Sequence, residues 1–305
     1  MGVYVDRLDA MSVLLAVADA GSLSAASRQV GAPLSTVSRK ISDLEALLGT
    51  RLFIRSSRKI LLTEAGQSYV AACKRILADV EEAERAASGE YSAPRGDLVV
   101  TAPVVFGRLH VLPLVNEFLA TYPEIDIRLV LADRVVHLVD DHVDVALRIG
   151  ALPDSSLVAI RLGDIRRVVC GSPAYFEEHG VPGTPQALSS HACVTFDGLS
   201  SPANWTFGSG RAQETVAVHS RLVVNTAEAA IDAAAAGLGV SRVLSYQVAA
   251  ASRAGQLEIV LADFEPEPWQ VSLVHAGQGP LPIKLRAFLD FAAPRLRADL
   301  ARAGM

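Results

Sequence analysis

The sequence predicts an α/β protein with a helical, wing-bearing N-terminal head, and three observations lead to this fold class. The chain has 305 residues, more than one hydrophobic core usually organises, so two or three domains are expected. Between residues 8 and 88 the apolar residues recur mainly at helical spacing. After residue 98, short apolar strands alternate with helical segments, which is the order of an α/β domain.

The composition excludes several classes of protein. Hydrophobic residues make up 50% of the chain and charged residues 20%, which is ordinary for a globular protein. The longest apolar runs are too short to cross a bilayer. Residues 1–20 contain three aspartates and lack the apolar core of a secretion signal. We therefore expect a cytoplasmic protein with no membrane partner.

The three cysteines, Cys73, Cys170 and Cys193, lack the paired spacing of a metal site, and their odd number fits a reducing cytoplasm. Cys170 and Cys193 are compatible with a redox-sensing pair. We favour buried structural thiols, because free cysteine is so often buried.

Positive charge is concentrated in the head. Residues 28–59 contain seven basic and two acidic side chains, a surplus of five in a chain whose net charge is −5. This asymmetry suits a polyanion-binding head on an acidic body, and a solvated basic face is the alternative.

Two short helices are predicted at the start of the head. The first has an apolar stripe of Leu8, Met11, Leu14, Leu15 and Ala18, and it ends at Gly21. Ser22 or Ser24 can cap the second, whose inner face is Ala25, Ala26 and Val30.

A third helix follows the turn Gly31-Ala32-Pro33-Leu34. Its apolar residues Val37, Ile41, Leu44 and Leu48 are spaced by four, three and four, so they point inward. The remaining flank carries Ser35, Thr36, Ser38, Arg39 and Lys40. Two helices joined by a short Gly-containing turn form a helix-turn-helix, whose second helix fits the major groove of DNA.

The segment Arg51–Thr63 predicts a basic wing of two short strands around Ser56-Ser57-Arg58-Lys59, able to contact phosphates. Taken with the helices, the expected DNA-binding residues are Ser24, Arg28, Ser35, Thr36, Ser38, Arg39, Lys40, Arg55, Arg58 and Lys59.

Thr63 is expected to cap a long helix that runs to about Ser88. Its residues Tyr69, Cys73, Ile76, Val80 and Ala83 repeat at four and three, the spacing of a coiled-coil seam. Packing of this helix on its own domain is the alternative. We favour a dimer seam, because little apolar sequence remains in the head to cover it.

The head resembles the LysR-type transcriptional regulators. The resemblance rests on "LLAVADAGSLSAAS" (Leu14–Ser27) and "TVSRKISDLEALLGTRLFIRSSRKILLTEAG" (Thr36–Gly66), and it covers nearly all of the first 66 residues without a gap. Leu34 departs from the pattern, since many members have a DNA-contacting glutamine there. The resemblance implies that the helix at 64–88 is a dimerisation linker. It also implies promoter DNA as a partner, a tetramer built from two kinds of dimer, and contact with RNA polymerase.

The body predicts two α/β lobes with a parallel sheet. Strands are expected at Leu98–Ala102, Ile125–Ala132 and Asp144–Ile149, with a helix at Val104–Tyr122 and a short one near Val135–His142. A second unit follows from Arg167 and includes a helix at Ala227–Gly237. The tail returns with a strand at Trp269–Val274 and a helix at Leu281–Leu300.

A small ligand is expected in the cleft between the lobes, at the carboxyl ends of strands. Thr101 stands just before a helix whose N-terminus favours an anion, and Asn225-Thr226 occupies the equivalent junction in the other lobe. Plain helix capping is the alternative for both positions. Arg148 could pair with an effector carboxylate, or form a surface or interlobe salt bridge.

The body also resembles the effector-binding domain of LysR-type proteins, which is itself similar to periplasmic binding proteins. The similar segments are "TAPVVFGRLHVLPLVNEFLATYPEIDIRLVL", "DVALRIG" and "AAAAGLGVSRV". The expected effector-binding residues are Thr101, Ala102, Pro103, Val104, Arg148, Ile149, Phe196, Asn225 and Thr226.

The expected domains are a winged helix-turn-helix at 1–63, a linker helix at 64–88, a hinge at 89–97 and an effector-binding domain at 98–305. Lobe I is expected at about 98–162 and 265–305, lobe II at about 163–264, with crossovers near Leu162–Asp164 and Ala262–Glu265.

An enzyme is not expected, because the sequence has no P-loop, no Rossmann glycine triplet after a strand and no G-x-S-x-G elbow. The cluster "HLVDDHVD" places His137, Asp141 and Asp144 at helical spacing, but an exposed amphipathic helix explains it better than a metal site. The sequence thus predicts a DNA-binding regulator that needs no cofactor besides a small effector. The alternative is a small-molecule binding module with a helical oligomerisation head and no specific DNA target.

Overall fold

A computed structural model describes residues 6–55, 60–88, 93–134, 138, 141–152, 157–196, 204–277 and 281–302. The chain divides into two compact units, Met1–Ser92 and Ala93–Met305. The first unit is called the head and the second the body.

The described residues of the head form four helices and a two-stranded hairpin. They are α1 (Arg7–Ala20), α2 (Leu23–Val30), α3 (Leu34–Leu48), β1 (Phe53–Arg55), β2 (Ile60–Leu62) and α4 (Glu64–Ser88). Strands β1 and β2 pair antiparallel, which is the predicted wing. Arg58 and Lys59 lie outside the described residues.

Local side-chain bonds set the helix boundaries. The Ser22 hydroxyl accepts a hydrogen bond from the Ala25 N–H at 3.1 Å, so Ser22 rather than Ser24 caps α2. The Thr63 hydroxyl accepts from the Gly66 N–H at 2.9 Å and caps α4 as predicted. Gly31 ends α2 with φ at 69°, a left-handed conformation that a side chain would disfavour.

The head core forms where α1, α2 and α3 meet. Val37, Ile41 and Leu44 of α3 are fully buried, together with Leu14 of α1 and Ala26 of α2. These contacts fix which side of α3 faces the protein.

Several predicted core residues of the head are only partly buried or exposed. Leu8, Val30 and Leu48 are exposed because each lies in the first or last turn of its helix. The buried face of α1 is also rotated from the predicted one, since it includes Val13 and Val17. Leu15 and Ala18 are half-buried.

The predicted seam on α4 is corrected at Cys73. The Cys73 side chain is fully buried in the head core, and Tyr69 packs against the same core. At these residues α4 therefore packs on its own domain, which was the alternative to a dimer seam. Ile76 is exposed and Val80 is half-buried. The side chain of Ala83 lies outside the described part.

The described residues of the body form two five-stranded sheets and a smaller two-stranded one. Its lobe I elements are β3 (Gly96–Ala102), α5 (Val104–Phe106), a π-helical turn (Gly107–Val111), α6 (Leu112–Thr121), β4 (Ile125–Leu131), β5 (Val145–Ile149), β6 (Leu157–Ile165), β14 (Trp269–Ala276) and α10 (Ile283–Arg302). Its lobe II elements are β7 (Arg167–Gly171), α7 (Pro173–His179), β8 (Ala192–Phe196), β9 (Asn204–Phe207), β10 (Glu214–Ala217), β11 (His219–Val224), α8 (Ala227–Ala235), β12 (Val240–Leu244), α9 (Ser245–Arg253) and β13 (Glu258–Val260). Short 3-10 turns lie at Pro185–Ser190, Gly210–Ala212 and Ala262–Phe264.

Both five-stranded sheets are mixed rather than wholly parallel. The lobe I sheet has the order β4-β3-β5-β14-β6, and the lobe II sheet β11-β8-β12-β7-β13. The predicted parallel pairing holds for β3 with β4 and β5. Strand β14 instead pairs antiparallel with β5 and β6, since β6 leads out to lobe II and β14 leads back from it.

The two crossovers between the lobes lie side by side. The first is at Arg166, between β6 and β7, and the second runs from the end of β13 to Trp269. The Arg166 guanidinium donates from Nη1 to both carboxylate oxygens of Glu265, at 3.0 and 3.1 Å. This ion pair ties the crossovers together. The predicted hinge also overlaps β3, which begins at Gly96.

The predicted helix at Val104–Tyr122 is interrupted by the π-helical turn. A methyl group on Gly107 would overlap the Leu131 side chain, so glycine allows this helix to approach β4 closely. The run Val104–Thr121 is long and apolar enough to cross a membrane by length and composition. Its residues Leu114 and Phe118, however, are buried in the lobe I core. Most of the predicted helix near Val135–His142 lies outside the described residues.

Gly66→Ala tests the packing of α4 on the wing. A methyl group at this position would overlap the backbone carbonyl oxygen of Leu52, which cannot rotate away. We expect the head to lose about 1–3 kcal/mol of unfolding free energy. Both tryptophans, Trp205 and Trp269, lie in the body. Urea unfolding followed by helical circular dichroism should therefore shift, while unfolding followed by tryptophan fluorescence should not.

The matched control is Gly183→Ala, since a methyl group there meets nothing within 4 Å. It should change either transition by less than about 0.5 kcal/mol. Equal losses from both substitutions would contradict the packing described for Gly66.

Candidate functional site

The outer flank of α3 forms the first candidate site. Ser35 and Arg39 are exposed, while Thr36 and Ser38 are half-buried at the edge of the helix. Pro33 at the N-cap supplies no side-chain hydrogen bond to the helix start. The flank therefore presents hydroxyl donors and acceptors and a guanidinium at the N-terminal half of the helix, the part that meets base edges in a helix-turn-helix.

Lys40 differs from the other predicted residues of this flank, because its ammonium forms an ion pair with the Asp9 carboxylate of α1. Both side chains are partly exposed, and pairs of this kind contribute at most about 1 kcal/mol and are screened by salt. Lys40 therefore links α3 to α1, and Arg39 provides the exposed cation of the flank.

The surroundings of α3 add further polar and apolar groups. Ser24 and Arg28 of α2 are exposed, and Leu34 is exposed at the first turn of α3. Arg55 is the last residue of β1. Ile54 and Leu61 lie opposite each other in the wing and are both exposed.

Glu45 has a structural function that sequence reasoning missed. Its Oε1 accepts hydrogen bonds from the backbone N–H groups of Leu52 at 2.8 Å and Phe53 at 3.2 Å. This carboxylate thus fixes the wing to the end of α3 and is not a free negative charge on the basic surface. No spacing signal in the sequence marks this contact, because it joins a helix to the irregular segment after it.

The second candidate site is a cavity of about 390 Å³ between the two lobes of the body. Six of the predicted effector residues line it: Thr101, Ala102, Pro103, Arg148, Ile149 and Phe196. Val104, Asn225 and Thr226 lie outside the lining, whereas Ala227 belongs to it. The Thr226 hydroxyl instead accepts from the Ala229 N–H at 3.3 Å, so the helix-capping alternative holds for this residue.

The N-terminus of α5 does not offer the open anion site that the sequence predicts. The Asp133 carboxylate accepts a hydrogen bond from the Val104 N–H at 3.0 Å, so the chain itself places a negative group there. The Thr101 hydroxyl donates to the Val130 carbonyl at 2.9 Å, and the residue is buried. An anionic ligand in this cavity therefore needs a cationic side chain as its partner instead of the helix N-terminus.

Arg148 is the cation that best fits this role. It lines the cavity from the end of β5, and burial lowers the pKa of its guanidinium. An arginine nonetheless keeps its charge at neutral pH. Arg134 also lines the cavity, opposite in charge to its neighbour Asp133.

Aromatic residues from both lobes contribute to the cavity wall, and sequence reasoning missed two of them. Tyr246 and Trp269 join the predicted Phe196 in the lining. Burial raises the pKa of the Tyr246 hydroxyl, so it stays a neutral hydrogen-bonding group. Gln247 also lines the cavity, and its Oε1 accepts from the Leu244 N–H at 2.9 Å.

Contacts beside the cavity hold the lobes together. The Tyr246 ring of lobe II lies edge-on to Phe106 of lobe I, with ring centroids 5.2 Å apart. The Arg108 guanidinium of the π-helical turn pairs with the Glu228 carboxylate of α8 at 2.5 Å. These contacts join the same two lobes that a ligand in the cavity would contact.

The described residues contain no His, Cys, Asp and Glu group that could hold a metal ion. In the cluster noted in the sequence, Asp144 accepts from the Val99 N–H at 2.7 Å, and His137 lies outside the described part. All three cysteines are buried, and burial raises the pKa of Cys170 and of Cys193 to about 12. Their thiols are therefore protonated at neutral pH and poorly suited to redox sensing.

The arrangement defines a class of protein: a ligand-responsive DNA-binding regulator, with a winged helix-turn-helix head and a two-lobed body around a cavity. Family models agree. The bacterial regulatory helix-turn-helix protein, lysR family, matches residues 8–67, and the LysR substrate binding domain matches residues 92–297. The chain belongs to the LysR family of transcriptional regulators.

Individual relatives support the same assignment over the whole chain. An HTH-type transcriptional regulator of Xanthomonas campestris pv. campestris (strain 8004) is 36% identical over 94% of this chain and 85% of its own length. The probable HTH-type transcriptional regulator LtrA of Klebsiella pneumoniae is 31% identical over 96% of both chains.

Solved structures are similar across both units. CrgA, a LysR-type transcriptional regulator from Neisseria meningitidis, has 29% identity and a TM-score of 0.61 over 94% of this chain and 98% of its own. The Vibrio cholerae virulence activator AphB has 26% identity and a TM-score of 0.61 with the same coverage. The predicted family, fold class and regulatory function are confirmed. Proteins of this family are not enzymes, as the sequence predicted.

Glu45→Ala tests the contact between α3 and the wing. Two backbone N–H groups would lose their acceptor, so we expect the unfolding free energy of the head to fall by about 1–3 kcal/mol. Urea unfolding followed by circular dichroism measures this change. DNA affinity in a gel shift should also fall, although a negative charge is removed from a basic surface.

Two further variants serve as controls for Glu45→Ala. Glu45→Gln keeps a carbonyl acceptor and should retain most of the stability, and Asp43→Ala removes a neighbouring charge and should change it by less than about 0.5 kcal/mol. Stronger DNA binding by Glu45→Ala would show that its carboxylate acts mainly as a repulsive surface charge.

Proposed function

We propose that this regulator binds operator DNA through the outer flank of α3 and responds to a small carboxylate seated between its lobes. The observation that carries the DNA part is the inward-facing stripe Val37, Ile41 and Leu44. With that face buried, Ser35 and Arg39 are left for the major groove.

The proposed DNA contacts follow from the chemistry of the flank. A guanidinium such as that of Arg39 can donate two hydrogen bonds to a guanine or pair with a phosphate. The hydroxyls of Ser35, Thr36 and Ser38 can donate to or accept from base edges. Ser24, Arg28, Lys40 and the wing residues Arg55, Arg58 and Lys59 are proposed as phosphate contacts, which position the helix without reading sequence.

A dimer is proposed because a single head reads only one half-site. Two heads would reach half-sites about 34 Å apart, one turn of DNA. Ile76, Val80 and Ala83 of α4 remain the proposed dimer residues, and the exposed Ile76 is their main apolar contribution; Tyr69, like Cys73, packs on the head core instead. A tetramer, contact with RNA polymerase and a cytoplasmic location belong to the same proposal.

The proposed effector is a small aromatic acid. Phe196, Tyr246 and Trp269 supply flat apolar walls, and Arg148 supplies the cation for a carboxylate. Because the cavity is lined from both lobes, a bound ligand would favour one relative position of the lobes over others. DNA affinity or the geometry of the assembly would then change by a shift in populations.

Arg39→Ala tests the DNA surface. Arg39 is exposed, so we expect its loss to leave the unfolding free energy within about 0.5 kcal/mol of the original. Binding to the intergenic DNA upstream of its own gene should weaken by about 1–3 kcal/mol. Gel shifts with competitor DNA at two salt concentrations measure the affinity, and Arg253→Ala, an exposed arginine of α9, is the matched control.

Three outcomes count against this surface. One is a stability loss equal to the binding loss, and another is an equal effect of Arg253→Ala. The third is a shift that salt abolishes for every DNA tested, which would indicate generic charge attraction and favour a ligand-binding module with an oligomerisation head.

Arg148→Gln tests the effector cavity. A thermal-shift screen of small carboxylates, starting with benzoate and its derivatives, should identify a ligand that stabilises the full chain. A ligand at 100 times its dissociation constant stabilises by about 2.7 kcal/mol. Arg148→Gln should remove most of this stabilisation, whereas Arg161→Gln, at an exposed position of β6, should keep it. Retention of the full shift by Arg148→Gln would exclude Arg148 as the carboxylate partner.

A further inference from the structure

A second pocket of about 640 Å³ lies next to the effector cavity. Gly150, Ala151 and Trp269 line both, so Trp269 stands between them. The second pocket has a more polar lining, which includes Arg167, Thr206, Ser209, Gln213 and Gln270. None of these five residues lines the effector cavity.

Arg167 has an unusual environment for a cation. Its guanidinium lies over the Trp269 ring, 4.6 Å from the centroid, and Nη2 donates to the Glu267 carbonyl at 3.1 Å. Its Nε is buried and makes no hydrogen bond within the described part of the chain. Among the described residues no carboxylate pairs with it. The side chain as a whole is half-buried and lines the pocket, so its positive charge favours an anionic ligand there.

A second arginine lies on the same side of the sheet. Arg167 pairs with Leu244 of β12, and Arg242, two residues earlier, shares that face. The Arg242 guanidinium donates to the Thr206 carbonyl at 2.9 Å and lies 5.3 Å from the Trp205 ring centroid. Burial, and secondarily the charge of Arg167, lowers the pKa of Arg242 to about 10. Two cations that repel each other through protein are stabilised by an anion placed near them.

The loop from β9 to β10 borders the same pocket with polar groups. Gly208 and Gly210 adopt left-handed φ values of 67° and 54°, which gives the loop a tight path around Ser209. Ser209 and Gln213 place a hydroxyl and an amide in the lining. Glu267 also lines the pocket, but it is exposed, so water screens its charge.

We propose that the pocket at Arg167 is a second binding site, for the oxyanion group of a small carboxylate or phosphate ligand. Arg167 is its principal ligand-binding residue, Ser209 and Gln213 supply further hydrogen bonds, and Arg242 adds positive potential from behind. The ligand would contact lobe I through Trp269 and Gln270 and lobe II through Arg167 and the β9–β10 loop. Its principal residue, Arg167, lies outside the lining of the effector cavity.

Tryptophan fluorescence tests the proposal directly, because the only two tryptophans of the chain are Trp205 and Trp269. The full-length Trp205→Phe variant isolates Trp269, which stacks on Arg167. Acetate and inorganic phosphate are titrated separately at constant ionic strength, with chloride as the exchanged ion. We expect at least one of them to give a saturable change in Trp269 emission.

Substitutions in the Trp205→Phe background locate the binding. Arg167→Gln should weaken the apparent affinity at least tenfold, and Arg167→Lys, which keeps the charge and serves if the first variant does not fold, should weaken it less. Arg161→Gln is the matched arginine control and should leave the affinity unchanged. Arg148→Gln should also leave it unchanged, since that residue lines only the effector cavity.

Three results would overturn the site. One is a linear response to every anion, and another is an anion affinity that neither Arg167 substitution changes. The third is loss of the response in Arg148→Gln. The last would place the anion in the effector cavity, so it would count against this site while supporting the proposed effector contact.

Discussion

The burial of one stripe of α3 is the constraint on which the function of the head depends. Val37, Ile41 and Leu44 are each fully buried, and burying one such side chain contributes about 1.5–3 kcal/mol. Rotating α3 about its axis would expose all three at once. Because of the helical period, Ser35 and Arg39 then face the solvent. The polar flank is therefore positioned mainly by the apolar contacts beneath it, and the ion pair of Lys40 with Asp9 adds a polar link to α1.

The acidic side chains near both sites are paired with groups of the protein itself. In the head, Glu45 accepts two backbone N–H groups and Asp9 pairs with Lys40, so neither carboxylate is an unpartnered charge beside Arg39. In the body, Asp133 caps the first helix after β3. Because this carboxylate already occupies the helix N-terminus, the arginine at the end of β5 is the proposed partner of an anionic ligand.

Sequence periodicity predicted the elements well and their surroundings less well. The helix-turn-helix, the wing and the strand-to-helix junction at Thr101 all follow from local spacing and turn residues. Burial at helix ends did not, because Val30 and Leu48 are apolar by pattern but have no neighbour to cover them fully. The spacing of Cys73 fits a coiled-coil seam, but α4 packs on the head core and the Cys73 side chain is buried there.

The residues missed in the cavity come from distant parts of the chain. Tyr246 follows β12 and Trp269 begins β14, and only the double crossover between the lobes brings them beside β5. The same crossover, held by Arg166 and Glu265, places Trp269 between two pockets of different chemistry. A ring that forms a wall of both cannot change position on one side alone. Occupancy of either pocket is therefore expected to influence the other through Trp269, a coupling that needs no further moving part.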